Sequence, residues 1–133
     1  MQVSAGQVFL FLIFLLWLSL TPPQKVFASE PSCIQAAENW ISQLNDKKNN
    51  EIFQKHTQRN CQFSGKWVKE SVDDSSVLHR ERMCQDLVLV WSHKNCNYFR
   101  DVINPDAYEP CKAWSREMHQ HCIDNDVNWF ESP

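Results

Sequence analysis

Six cysteines and five histidines are the residues of this 133-residue chain best equipped for chemistry. A redox thiol typically stands in Cys-x-x-Cys, and no two of Cys33, Cys61, Cys84, Cys96, Cys111 and Cys122 are that close. Zinc asks for thiolates or imidazoles in a tetrahedral set, and one can be drawn from His93, Cys96, Cys111 and His121. The paired short spacings of common zinc modules are absent, however, and exported thiols oxidise. Ser92 and His93 are neighbours, but adjacent residues on a helix point about 100° apart, and no Gly-x-Ser-x-Gly elbow is present. The acidic pairs Asp73-Asp74 and Asp124/Asp126 read as a helix cap and a solvated tail before they read as a general acid and base. No catalytic set, no metal and no cofactor is therefore expected. The alternative is a small metal-binding or hydrolytic protein using His93, His119 and His121.

The even cysteine count points instead to three disulfides, which need an oxidising compartment. The N-terminus supplies the route. Val8 to Leu20 is an almost unbroken apolar run, followed by Thr21-Pro22-Pro23 and by Val26-Phe27-Ala28, a small-residue cleavage pattern. A bilayer span needs roughly 20 apolar residues and a secretory signal about 7 to 15, so residues 1–28 are expected to be a signal peptide cleaved after Ala28. The segment before the run carries no Lys or Arg, which leaves an uncleaved anchor as the alternative. Cys33 follows Glu30-Pro31-Ser32, which is not a lipid-attachment pattern. Residues 29–133 form the expected single disulfide-rich domain, secreted or periplasmic, with no stable membrane span after cleavage.

That domain loses only Lys25 among the charged residues, leaving twelve basic against sixteen acidic, a formal charge of −4. Nucleic acid and anionic membranes both require a concentrated basic surface, so neither is an expected partner.

One glycine, Gly65, follows residue 28, which disfavours a fold of many tight turns and favours helices. Ser32 with Gln35 forms a capping-box signature, after which Ile34, Ala37, Trp40, Ile41 and Leu44 recur on one face. A weaker helix is expected over about 51–60, then an extended or irregular segment from Phe63 to Val72. Asp73 to Ser76 offers caps for a third helix over 77–95 with Cys84, Leu87, Val88 and Trp91 inward. The connector 97–109 leads to Pro110, well placed in the first turn of a fourth helix that carries Cys111, Trp114, Met118 and Cys122 on one side. The expected class is all-α: disulfide-stapled helical hairpins with four main helices.

Cys33 and Cys61 are equidistant from Lys47 in the first connecting turn, so a Cys33–Cys61 bridge closes that hairpin's open end. Eleven residues separate Cys84 from Cys96 and ten separate Cys111 from Cys122, about one common centre, which favours nested bridges Cys84–Cys122 and Cys96–Cys111. On an ideal helix Cys84 and Cys96 fall about 120° apart, which places Cys96 in a frayed last turn.

The segment 84–129 resembles the coiled-coil-helix-coiled-coil-helix proteins, whose paired cysteines bridge a helical hairpin in this nested way. The stretch from Cys111-Lys112-Ala113-Trp114 to Cys122 is similar to the second arm of that family's cytochrome oxidase subunit. The resemblance implies a mitochondrial intermembrane-space hairpin as an alternative to export.

Trp40, Trp91 and Trp114 lie on helical stripes and are expected in the core. Trp67 and the pair Trp129-Phe130 have no periodic partner, and large aromatics outside a core anchor interfaces. They are the candidate binding residues of a protein expected to act on an unidentified protein partner, as an envelope accessory factor, inhibitor or secreted effector. Packing of these aromatics as lids over the hairpins is the competing expectation.

Overall fold

The computed structural model of the chain describes residues 5–19, 30–71 and 77–132; the expected cleavage point after Ala28 and the Asp73-to-Ser76 cap lie outside them. Helix α1 (Ala5–Ser19) covers most of the apolar run, and its Phe9, Leu10 and Phe14 are exposed. None of its described side chains joins the core, and among the described residues no helix is long and apolar enough to cross a membrane.

Helix α2 (Cys33–Leu44) begins at a reciprocal cap: the Gln35 N–H donates to Ser32 Oγ, and the Ser32 N–H donates to Gln35 Oε1. Its apolar stripe buries Cys33, Ala37, Trp40 and Ile41. Asn45 ends the helix in the left-handed region at φ 54°, a conformation asparagine tolerates at a C-terminus. Asp46 then accepts the Asn49 N–H and the side-chain amides of Asn49 and Asn104, fixing the turn to a distant part of the chain. These bonds hold its carboxyl below the ordinary carboxylate value.

Helix α3 (Asn50–Glu70) is twice the expected length, and the extended or irregular segment after Phe63 is corrected to helix. The reason is burial: Phe53, Thr57, Asn60, Cys61, Ser64 and Val68 continue one inward stripe straight through Gly65. That glycine is required by tertiary packing. A Cβ there would lie 2.9 Å from the Cβ of Phe130. Gly65→Ala gains about 1 kcal/mol in helix propensity but overpacks a site where such strain costs about 1–3 kcal/mol. The expected result is a net loss of stability in a urea melt; a more stable variant would show that Phe130 can retreat freely.

The third helical run is one rod of alternating character: α4 (Val77–Met83), a π-helical stretch (Cys84–Leu89), α5 (Val90–Tyr98) and a second π-helical stretch (Phe99–Ile103). It extends past the expected end at Asn95, so the proposed connector is largely helix. The π turns also remove the angular mismatch between Cys84 and Cys96. A wider i→i+5 turn changes the phase of the helix face, and both cysteines are fully buried instead of one sitting in a frayed end. A 3₁₀ turn (Pro105–Ala107), capped by Asn104, leads into α6 (Tyr108–Ile123), with Pro110 in its first turn. After Asn125, at φ 56°, Asp126 caps a short α7 (Val127–Glu131) that sequence periodicity did not reveal.

The fold is all-α, with no strand among the described residues and four main helical segments. Trp40 sits at the centre of the core, its ring centroid 5.9–6.4 Å from those of Phe53, Phe99 and Trp114. One aromatic from each main segment thus meets at a single point. Disulfides join Cys33 to Cys61, Cys84 to Cys122 and Cys96 to Cys111, with Cα separations of 5.9, 5.8 and 5.5 Å. The first staples α2 to α3. The other two bind the π-interrupted rod antiparallel to α6 at two levels.

Candidate functional site

The histidines separate onto different faces. His93 on α5 lies near Lys112, Arg116 and His119 of α6, and burial, reinforced at His93 by those cations, lowers both imidazoles' proton affinity. A neutral folded imidazole leaves the unfolded chain to bind more protons once the pH drops below about 6.5, so stability falls with acidification. Thermal melts between pH 7 and 5.5 are expected to show that decline, and His93→Gln to shallow it. An unchanged slope in the variant would remove His93 from the effect.

Ser92 is wholly buried, donates to the Val88 carbonyl and accepts from Ser115 Oγ at 2.8 Å. It is a structural hydroxyl and not a partner for His93. The zinc set drawn from His93, Cys96, Cys111 and His121 is also excluded as drawn, because Cys96 and Cys111 are bonded to each other.

His121 lies on another side of α6, held by two carboxylates and a stacked ring. Its Nδ1 is 3.2 Å from Asp126 Oδ2 and its Nε2 is 3.2 Å from Glu30 Oε1. Trp129 stacks on the ring face, with centroids 4.0 Å apart and planes 11° from parallel. Asp126 is itself fixed, since its other oxygen accepts the Trp129 N–H as the cap of α7. Glu117, one helical turn before His121, completes a group in which the ligand atoms of Glu30, Glu117 and His121 lie within 4.8 Å of one another. Burial raises the Glu117 carboxyl above its ordinary value; His121 opposes that shift and Glu30 adds to it. Beside this group a groove of about 370 Å³ is lined by Glu30, Ser32, Gln35, Asp126, Asn128 and Trp129, among others. Chemically the arrangement can hold a proton or a cation between carboxylates.

Trp129 and Phe130, expected as solvent-facing anchors, are 5% and 4% exposed. They are lids: Trp129 covers His121, and Phe130 closes on Gly65. Trp67 is half-buried against the core. Within residues 30–132, exposed aromatics lie on the seam between α3 and α5. Phe63, 43% exposed, lies 4.8 Å from the Trp91 ring, and Tyr98, 41% exposed, lies 5.4 Å from the His56 ring. Between them Asn95 donates to Asn60 Oδ1 and to the Trp91 carbonyl, and meets His56 Nδ1 at 3.3 Å.

The Glu117/His121 pair was open to sequence reading, being spaced one turn apart on an amphipathic helix. Glu30 and Asp126 reach the same point only through tertiary folding. No family model, no curated protein and no solved structure matches the chain.

Proposed function

We propose that the chain is an exported, disulfide-stabilised helical protein that acts by binding another protein along the α3–α5 seam. The observation that carries the interaction reading is the pair of outward-facing ring contacts, Phe63 with Trp91 and His56 with Tyr98. Aromatics that are partly exposed yet held rigid supply large contact area at low entropic cost, as interface anchors do. The Asn60–Asn95 bond beneath them ties the two helices, so the rings keep a fixed spacing. Export is supported by three buried bridges in so small a domain, an economy that belongs to oxidising compartments.

A photo-crosslinking residue at position 63 tests this reading in the native host. It is expected to trap one defined partner, while the same residue at exposed position 120 on α6 traps none. Equal trapping at both positions, or none at either, would count against the seam.

The nested bridges between antiparallel helices support a second reading, the intermembrane-space hairpin that segment 84–129 resembles. An uncleaved N-terminus with mitochondrial targeting would favour it over export.

A further inference from the structure

We infer that Glu30, Glu117 and His121 form a binding site for a divalent transition-metal cation of the zinc type, which departs from the expectation of no metal and goes beyond the interaction reading. Three observations converge on it. Glu117 and His121 stand at i and i+4 of α6, the spacing that presents two ligands on one face of a helix. The Nε2 of His121 and the Oε1 of Glu30 are 3.2 Å apart. With metal–ligand bonds of about 2.0–2.1 Å, two ligands of a tetrahedral ion are separated by about 3.3–3.4 Å, so the existing gap needs almost no adjustment. The Glu117 ligand atom lies within 4.8 Å of both, close enough to reach the same ion by a shift of its side chain.

The surroundings of the imidazole point the same way. A metal-ligating histidine commonly gives its second ring nitrogen to a carboxylate, which fixes tautomer and orientation. Asp126 does this at Nδ1, and Trp129 holds the ring plane. The charge is also uncompensated. Glu30, Glu117 and Asp126 surround one imidazole, and among the described residues no Lys or Arg lies within 4 Å of any of the three carboxylates. A divalent cation supplies the missing positive charge. The imidazole in the set favours zinc, copper or nickel over calcium or magnesium, which prefer oxygen ligands alone.

The test is calorimetric titration of the oxidised protein with Zn²⁺ at pH 7.5, followed by Cu²⁺ quenching of tryptophan fluorescence. One site is expected, with Ca²⁺ and Mg²⁺ failing to compete. Glu117→Gln and Glu30→Gln, which keep the side-chain shape, are each expected to weaken zinc at least tenfold, and His121→Gln to abolish it. Asp126→Asn, which acts through His121, is expected to weaken it by about 10–100-fold. His93→Gln and His119→Gln are expected to leave it unchanged. Quenching is expected to fall sharply in Trp129→Phe, because that ring stacks on the ligand. Zinc binding that survives Glu117→Gln and His121→Gln, or disappears in His93→Gln, would overturn the assignment, as would the absence of any site tighter than millimolar. Folding of each variant is read from its circular dichroism, and partner crosslinking at position 63 reports separately on the interaction reading.

Discussion

Removing the Cys84–Cys122 bridge by a double alanine substitution is expected to cost about 4 kcal/mol in urea melts under oxidising conditions. The bridge closes 38 residues of sequence, and constraint of the unfolded chain grows with the logarithm of that loop. On the same basis Cys33–Cys61, with a separation of 28, contributes about 3.6 kcal/mol, and Cys96–Cys111, with a separation of 15, about 3 kcal/mol. The three together amount to about 10 kcal/mol, comparable to the whole stability of a domain this size, typically about 5–15 kcal/mol. Full reduction is therefore expected to unfold most of the chain. A reduced protein that keeps its helicity and cooperative melt would show that packing alone suffices and that the bridges are accessories.

Trp114→Ala is expected to match a bridge in effect, at about 3–5 kcal/mol. The side chain is 2% exposed and shares the central cluster with Trp40, and its Nε1 donates to the Cys33 carbonyl at 3.1 Å. It therefore connects α6 to the first turn of α2 close to the Cys33–Cys61 bridge. Trp114→Phe keeps much of the ring volume and gives up that hydrogen bond, for which about 1 kcal/mol is the usual net value, plus a modest cavity term. Denaturant midpoints of the two variants separate the contributions. A Phe variant as damaged as the Ala variant would mean that the hydrogen bond, rather than the ring volume, holds the helices together.

Much of the architecture was legible because helices advertise themselves by periodicity. The Ser32 cap and the stripe through Trp40 mark α2, and the steps from Cys111 to Cys122 mark α6. The failures have physical causes. Gly65 looked like a break because local propensity disfavours it, yet α3 runs through it to accommodate Phe130, a contact 65 positions away in sequence. The π turns at Cys84–Leu89 and Phe99–Ile103 obey no 3.6-residue period, so Cys96 was misplaced in a frayed turn, although the inward stripe through Cys84 and Val88 was read correctly. Trp129 and Phe130 had no periodic partner because α7 is barely more than a turn, and its apolar side chains pack on other helices. The cluster around His121 was half visible. Its α6 pair follows helical spacing, whereas Glu30 arrives from the segment before α2 and Asp126 from the turn before α7.

The charge pattern was equally divided. Composition alone, acidic overall, hides the fact that Lys112, Arg116, His93 and His119 gather on the α5–α6 face while Glu30, Glu117 and Asp126 gather around His121. Neither grouping is a run in sequence.

The measurement that bears most directly on the proposal of an exported, disulfide-locked protein is the intact mass of the natively expressed chain, taken before and after reduction with thiol alkylation. The expected result is a chain beginning at Ser29 that takes up no alkylating reagent until it is reduced, and then takes up six equivalents, one for each of Cys33, Cys61, Cys84, Cys96, Cys111 and Cys122. A chain that retains residues 1–28 and alkylates fully without reduction would contradict both the compartment and the bridges on which the fold's stability is argued to rest.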